Sequence, residues 1–410
     1  MNCRSSDLER FIDLGAQPNG NNFPEPGERH DEPVFPISML VCQTCWQVQI
    51  DEFPPQEFLF ADHPYVTGVN VPIVDHFRKL SRTLVRELQI EPNSLVVDIG
   101  CNDGTLLRSF AEQGMRTLGV DPGKRTGELA RQQGTIVCEA FWNREAGRSF
   151  RALNLRPDLV TATAVFYHLP DLHDFIEGLD LAFHDRSVFV VQCVNLRDLI
   201  ERNQFDHFYH EHSCIHSISA LERLFQEHHM RLLDVEFIEV HGGSFVLSVV
   251  RENNPLPTKP SIQEALEAEK NAGLQKMETY RQFTSRVEKN AVALRSLLTD
   301  LKAKGKRVYA LGAPVKGNTL LNYARIGPDL VQCATEVNAF KIGRLTPGSH
   351  IPIVHESQID QQPDYYLILS WNFLDYLIGK YKAYLLAGGR FIVPVPSVQV
   401  LGFDAVAQSE

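Results

Sequence analysis

Thirteen residues, Phe205 to Ser217 (FDHFYHEHSCIHS), hold four histidines, an aspartate, a glutamate, a tyrosine and a cysteine. Such a set can bind a metal or move protons, because imidazole, carboxylate and phenol groups do both. The helical zinc-protease spacing fails: His210 and Glu211 are followed by His212, Ser213 and Cys214, so no histidine stands four positions after His210. A helical His212/His216 pair remains open as a metal reading. His207 and His216 are expected to be ordinary polar residues on a solvated helix.

These groups need elements to position them. With 410 residues the chain can bury two or three cores. A net charge of -11 argues against a nucleic-acid binder, so any anionic ligand must meet a local basic pocket. No apolar run reaches the roughly 20 residues of a membrane span, and the first ten residues lack a signal-peptide pattern, so a cytoplasmic protein is expected. Eight cysteines are too sparse for a disulfide framework, and pairs at metal spacing are read as metal ligands first. Residues 1–62 are rich in Pro, Asn and Gly and form a small loop-rich module that needs a staple. Cys42 and Cys45 have half-site zinc spacing and Cys3 can join them. Ser6 stands where a fourth cysteine would complete the site; His30 could supply that ligand, or the site has decayed.

Residues 63–253 read as an α/β domain with a cofactor loop. The apolar strand Ser94–Ile99 runs through Asp98 into Gly100-Cys101-Asn102-Asp103-Gly104 and then a helix. This loop lacks the phosphate-cradling glycine pattern and the P-loop lysine. The next strand ends in Asp121, where a carboxylate can accept both ribose hydroxyls. Together these features look like a class I S-adenosylmethionine site. His168 follows the strand at the expected switch point, and Leu232–Val240 with Phe245–Arg251 form a hairpin around His241-Gly242-Gly243-Ser244. Three prolines in six residues, Pro255 to Pro260, open the last unit, 254–410. It begins with one or two helices over 261–303, whose apolar stripe includes Phe283, Val287, Val292, Leu294 and Leu298 and could pack within the chain or across a dimer. A second strand-glycine-helix unit follows, with Lys316, Asn318, Lys341 and Arg344 as the local basic and polar set for a nucleotide diphosphate, and Trp371 and Asn372 at the end of a later strand.

The order of the motifs Phe11-Ile12-Asp13-Leu14-Gly15, Cys42 to Cys45, D-I-G-C-N-D-G, Tyr209-His210-Glu211-His212, His241-Gly242-Gly243-Ser244 and Lys316-Gly317-Asn318 resembles the sugar C-methyltransferases of deoxysugar biosynthesis over nearly the full length. That resemblance implies a zinc-type N-terminal module, a central S-adenosylmethionine domain and a C-terminal Rossmann-like domain for a nucleotide-linked sugar. It implies methylation of a ring carbon next to the ketone of a 4-keto deoxysugar, commonly on dTDP. His212 is then the base, Glu211 and Tyr209 orient or polarise, and Tyr65 and His168 line the pocket. The cofactor contacts are Asp98, Gly100, Asn102, Asp103, Gly104 and Asp121. Contacts to the substrate are His241, Gly242, Lys316, Asn318, Lys341, Arg344, Trp371 and Asn372, and the reaction itself requires no metal. Departures are Ser6 for cysteine, Gln192 for a usual glutamate, Val246 for a frequent arginine and Glu336 for an aspartate. Competing readings are methylation of oxygen or nitrogen in another metabolite, and a non-catalytic nucleotide-sugar-binding protein.

Overall fold

The computed structural model describes residues 1–27, 32–55, 59 and 65–404; His30 lies outside them. The N-terminal module is an antiparallel sheet of β1 (Leu8–Pro18), β2 (Val34–Cys42) and β3 (Val48–Ile50). Its inner face, with Phe11, Ile12, Ile37, Met39 and Val41, joins the main core.

The central domain follows a helix, α1 (Val71–Glu87), that buries Ile73, Phe77, Leu80 and Leu84 on one face at helical spacing. Next come β4 (Leu95–Ile99), β5 (Arg116–Val120), β6 (Val137–Cys138), β7 (Leu159–Thr163) and β8 (Val188–Val194). Strands β4, β7 and β8 are wholly buried, as befits mostly apolar strands covered on both faces. The catalytic stretch supplies β9 (Cys214–Ile215), and β10 (Met230–Ile238) with β11 (Ser244–Arg251) form the expected hairpin. The sheet order is β10-β11-β8-β7-β4-β5-β6, with β11 antiparallel to its neighbours. Strand order reverses at β4 and β7, so a crevice opens beyond their carboxyl ends.

The strand β9 does not belong to that sheet. It pairs with β3, completing the N-terminal module with residues from the catalytic stretch. The stretch is therefore a short 3-10 turn, a loop and a strand, and the helical His212/His216 face does not exist. Nor are His207 and His216 solvated: they are 3% and 0% exposed. Local pattern suggested a polar helix; contacts with distant segments bury both rings.

Two helices, α2 (Pro260–Ala272) and α3 (Met277–Ala303), are separated by Gly273, whose left-handed φ of +73° ends the first. The stripe on α3 packs within the chain: Tyr280 and Phe283 meet Phe11, and Phe283 meets Phe208 of the catalytic stretch. Val292 is the exception, 70% exposed. The last sheet contains β12 (Val308–Leu311), β13 (Ala334–Glu336), β14 (Ile353–His355), β15 (Tyr365–Ile368), β16 (Arg390–Val393) and β17 (Gln399–Leu401), ordered β14-β13-β12-β15-β16-β17. All pairs are parallel except β16 with β17. Among the described residues no helix is long and apolar enough to cross a membrane.

Candidate active site

At the crevice the loop after β4 turns sharply. Gly100 has φ of +72°, and a Cβ there would run into Val165 Cγ2; Gly104, φ +75°, would place one 2.6 Å from Thr135 Oγ1. Asp98 and Asp121 line a cavity of about 360 Å³ with Gly100 and Asn102. The backbone N–H groups of Asn102 and Gly123 each donate to Asp121 at 2.8 Å, fixing its carboxylate at the end of β5. Burial pushes Asp98 up to about 7, against the 2.6 Å hydrogen bond donated by Thr161. A cation entering the cavity would draw that value down, which suits a ligand carrying an ammonium and a sulfonium. Asp103 is absent from the lining: it accepts from Gly68 N–H at 2.9 Å and Thr105 Oγ1 at 2.6 Å, while the Asn102 side chain exchanges bonds with Thr67 N–H and Tyr65 O. These two residues hold the segment carrying Tyr65 against the loop. Replacing Gly100 with alanine is expected to weaken S-adenosylmethionine binding by at least ~10-fold, measured by calorimetry, because the side chain brings both strain and overlap. Unchanged affinity would remove the loop from the cofactor site.

The same cavity is lined by Tyr65, His168, Gln192 and His241. His212 lies one ring behind: its imidazole is 5.3 Å from that of His168, 4.5 Å from Tyr167 and 3.9 Å from Tyr209, centre to centre. The His212 Nδ1–H donates to the His207 carbonyl at 2.7 Å, which leaves the lone pair on Nε2. That nitrogen is buried with no hydrogen-bond partner among the described residues. Burial, then the neighbouring His168 and His207, hold His212 well below the usual histidine range, so it is a neutral base. Glu211 is buried and accepts from Asn21 Nδ2 at 2.6 Å, and His210 donates to the Phe35 carbonyl at 3.0 Å. Both neighbours of the base are thereby anchored to the N-terminal module. His216 is structural, its ring tilted against Phe166 at 5.2 Å and bonded to Gln47 Oε1.

The C-terminal residues divide. Lys316 is buried, its Nζ 4.1 Å from the centre of the Trp371 ring, and Trp371 Nε1–H donates to Asp206 at 2.6 Å. Gly242, φ +91°, lets that ring approach: a Cβ would lie 2.5 Å from Trp371 Cη2. Asn372 follows, with a buried Oδ1 that has no partner among the described residues. Asn318 instead reaches the N-terminal module, donating to Gly20 O at 2.7 Å. Arg344 donates to Phe23 O at 2.8 Å, and Lys341 donates to Ala313 O at 2.9 Å beneath the Phe23 ring. The basic set expected around one diphosphate is thus dispersed, with Lys316 turned toward the catalytic stretch. On the cavity rim, the Arg125 guanidinium stacks 3.8 Å from the Phe340 ring, joining the central and C-terminal domains.

Three family models tile the chain: "Putative zinc binding domain" over residues 2–60, "Methyltransferase domain" over 74–234 and "C-methyltransferase C-terminal domain" over 239–396. A curated relative, C-methyltransferase NovU of Streptomyces niveus, is 32% identical over 405 residues, covering 98% of this chain and 96% of its own. The chain belongs to the C-methyltransferase family. Solved structures also match part of the chain. Magnesium protoporphyrin IX methyltransferase of Synechocystis PCC 6803 is 16% identical over 45% of this chain and 81% of its own, TM-score 0.34. An S-adenosylmethionine-dependent methyltransferase of Clostridium acetobutylicum ATCC 824 is 14% identical over 43% and 92%, TM-score 0.34.

This C-methyltransferase is S-adenosylmethionine-dependent, and the cradle at Gly100 and Asp121 fits that cofactor. Its Cys3, Cys42 and Cys45 thiols converge within 4.8 Å of one another, and none forms a disulfide. They fit three positions of a tetrahedral zinc site, where the ion would be structural. Sequence reading gave Asp206 no role of its own and passed over Asn21 and His76. His76 bonds Gln192 Oε1 at 2.7 Å in the cavity wall. Gln192 and Val246, two departures from the family pattern, face each other across β8 and β11. This pair carries no charge.

Proposed function

We propose that this C-methyltransferase methylates a ring carbon beside the ketone of a nucleotide-linked 4-keto deoxysugar, on dTDP by the resemblance noted above. The observation that carries the reading is His212: a neutral, buried imidazole whose tautomer is fixed by the His207 carbonyl and whose Nε2 lone pair is unengaged among the described residues. Forming a carbon–carbon bond requires a carbon nucleophile, and removal of an acidic proton alpha to a ketone provides one. Methylation of oxygen or nitrogen would need no such carbon acid.

His212 Nε2 takes the proton, and the C–H electron pair becomes the carbon–carbon double bond of an enolate while the carbonyl pair moves to oxygen. Gly100 and Asp121 in the cavity would hold S-adenosylmethionine, which would supply an electrophilic sulfonium methyl for the enolate carbon. Glu211 and Tyr209 keep the base in place, and the rings of His168 and Tyr65 face the space between base and cofactor loop. Nucleotide contacts are assigned to the C-terminal domain around Asn372.

The test is incubation in heavy water with S-adenosylmethionine and a panel of dTDP-linked 4-keto-6-deoxysugars, followed by mass spectrometry and carbon NMR. A methyl on a ring carbon, with deuterium uptake at that carbon when S-adenosylmethionine is withheld, is the expected result. A new methyl on oxygen or nitrogen, or no change in any sugar, sinks the reading.

A further inference from the structure

Lys316 opens a helix behind a glycine turn, a setting that suggested a phosphate ligand. Its surroundings point elsewhere. The lysine is buried, and its ammonium lies over the face of Trp371. Around it stand Asp206, His207 and His241. Asp206 Oδ1 and His207 Nδ1 are buried and unpartnered among the described residues, as is Nε2 of His212. His207 donates through Nε2 to the His241 carbonyl at 3.0 Å, so its Nδ1 is an acceptor. The group is therefore one cation beside two atoms that lack donors, and the His212 ring lies 6.0 Å from that of His207. A ketone that becomes an enolate, on a ring bearing hydroxyl groups, matches both needs. A diphosphate matches less well, since it would bring two charges next to the buried Asp206 carboxylate.

We propose that Lys316 is the hydrogen-bond donor to the enolate oxygen, a catalytic residue for proton abstraction rather than a phosphate contact; this rests on the carbon-acid reading above. The ring proton goes to His212, the carbonyl electron pair goes to oxygen, and Lys316 keeps its own proton while donating to that oxygen. Burial lowers the lysine to about 8 while the Asp206 charge raises it, so it remains largely an ammonium at neutral pH. Within a dry site, such a donor aimed at developing charge acts with little reorganisation. Trp371 is the positioning residue: it covers the lysine and is itself pinned by Asp206 and seated on Gly242.

Lys316→Met and Lys316→Arg separate the two roles through two readouts, solvent-deuterium exchange into the 4-keto sugar at saturation and calorimetric binding of thymidine diphosphate alone. The methionine variant is expected to lose exchange by ~100-fold or more while thymidine diphosphate affinity stays within about 3-fold, and arginine is expected to restore at least ~10-fold of the loss. A fall of ~10-fold or more in diphosphate affinity with exchange at saturation intact overturns the proposal, as does a methionine variant that exchanges like wild type. Binding of S-adenosylmethionine reports on the fold; if the methionine variant loses it, the arginine variant decides by the same pair of readouts. Absence of exchange in the wild-type enzyme would instead overturn the carbon-acid reading itself.

Discussion

His212→Ala is expected to lower deuterium exchange and methyl transfer together by about 10²- to 10⁴-fold, the range for one general base. Affinity for S-adenosylmethionine should stay within a few-fold, because His212 stands behind the wall of the cofactor cavity rather than in it. The two effects separate a proton-transfer role from a binding role. A further signature lies in the pH profile. Burial lowers the folded-state value of His212, so the neutral base persists at pH values where an exposed imidazole is protonated. The acid limb of the exchange rate should therefore fall below the ordinary histidine value of about 6.5. Wild-type exchange that survives in His212→Ala, or an acid limb above that value, would remove the assignment.

Acid is expected to destabilise the protein through its buried imidazoles, and His216 isolates the effect. Burial lowers it from 6.5 to about 4. In the unfolded chain it binds a proton near pH 6.5; in the native protein it refuses one until about pH 4. The unfolded state thus holds more protons between these values, and stability rises with pH across that window. The contribution is complete above about pH 6.5 and is lost as pH falls toward 4, amounting to roughly 3 kcal/mol. Asp98 acts in the opposite sense in the empty enzyme, since its raised value favours the native state as pH drops from about 7. Comparing wild type with His216→Asn cancels that term. Urea midpoints measured from pH 7 to 4.5 should fall more steeply for wild type than for the variant; parallel slopes would show that His216 is not buried as a neutral ring.

Both predictions concern residues from a stretch that sequence marked as reactive, yet only one of their roles could be read there. Short-range patterns were legible. The run from Ser94 into Gly100, the carboxylate at Asp121 and the hairpin around His241 depend on neighbours in the chain, so local rules place them. The order of motifs singled out His212 as the proposed base. Partnerships across long separations were not legible. Asp206 finds Trp371 165 residues away, Glu211 finds Asn21 across 190, and Asn318 finds Gly20 across 298. His207 and His216 were misread for the same reason: whether a histidine is wet or dry is decided by what packs on it. The lysines illustrate the charge counterpart. Lys316 and Lys341 both looked like phosphate ligands, and tertiary contacts send one over the Trp371 ring and the other to a backbone carbonyl.

The fourth strand of the N-terminal sheet also bears on how the chain assembles as it is made. Gln47 bonds Ile215, 168 positions later, and β3 pairs with β9 beside it. At about 5–20 residues per second of synthesis, the edge of β3 has no native partner for roughly ten to thirty seconds. An unpaired edge is a template for wrong pairing, so the module built on β1, β2 and β3 is exposed until the histidine stretch arrives. The arrival that closes this edge is also the one that sets the base between Glu211 and the β9 strand. Completion of the sheet and placement of the base are thus a single event in the life of the nascent chain.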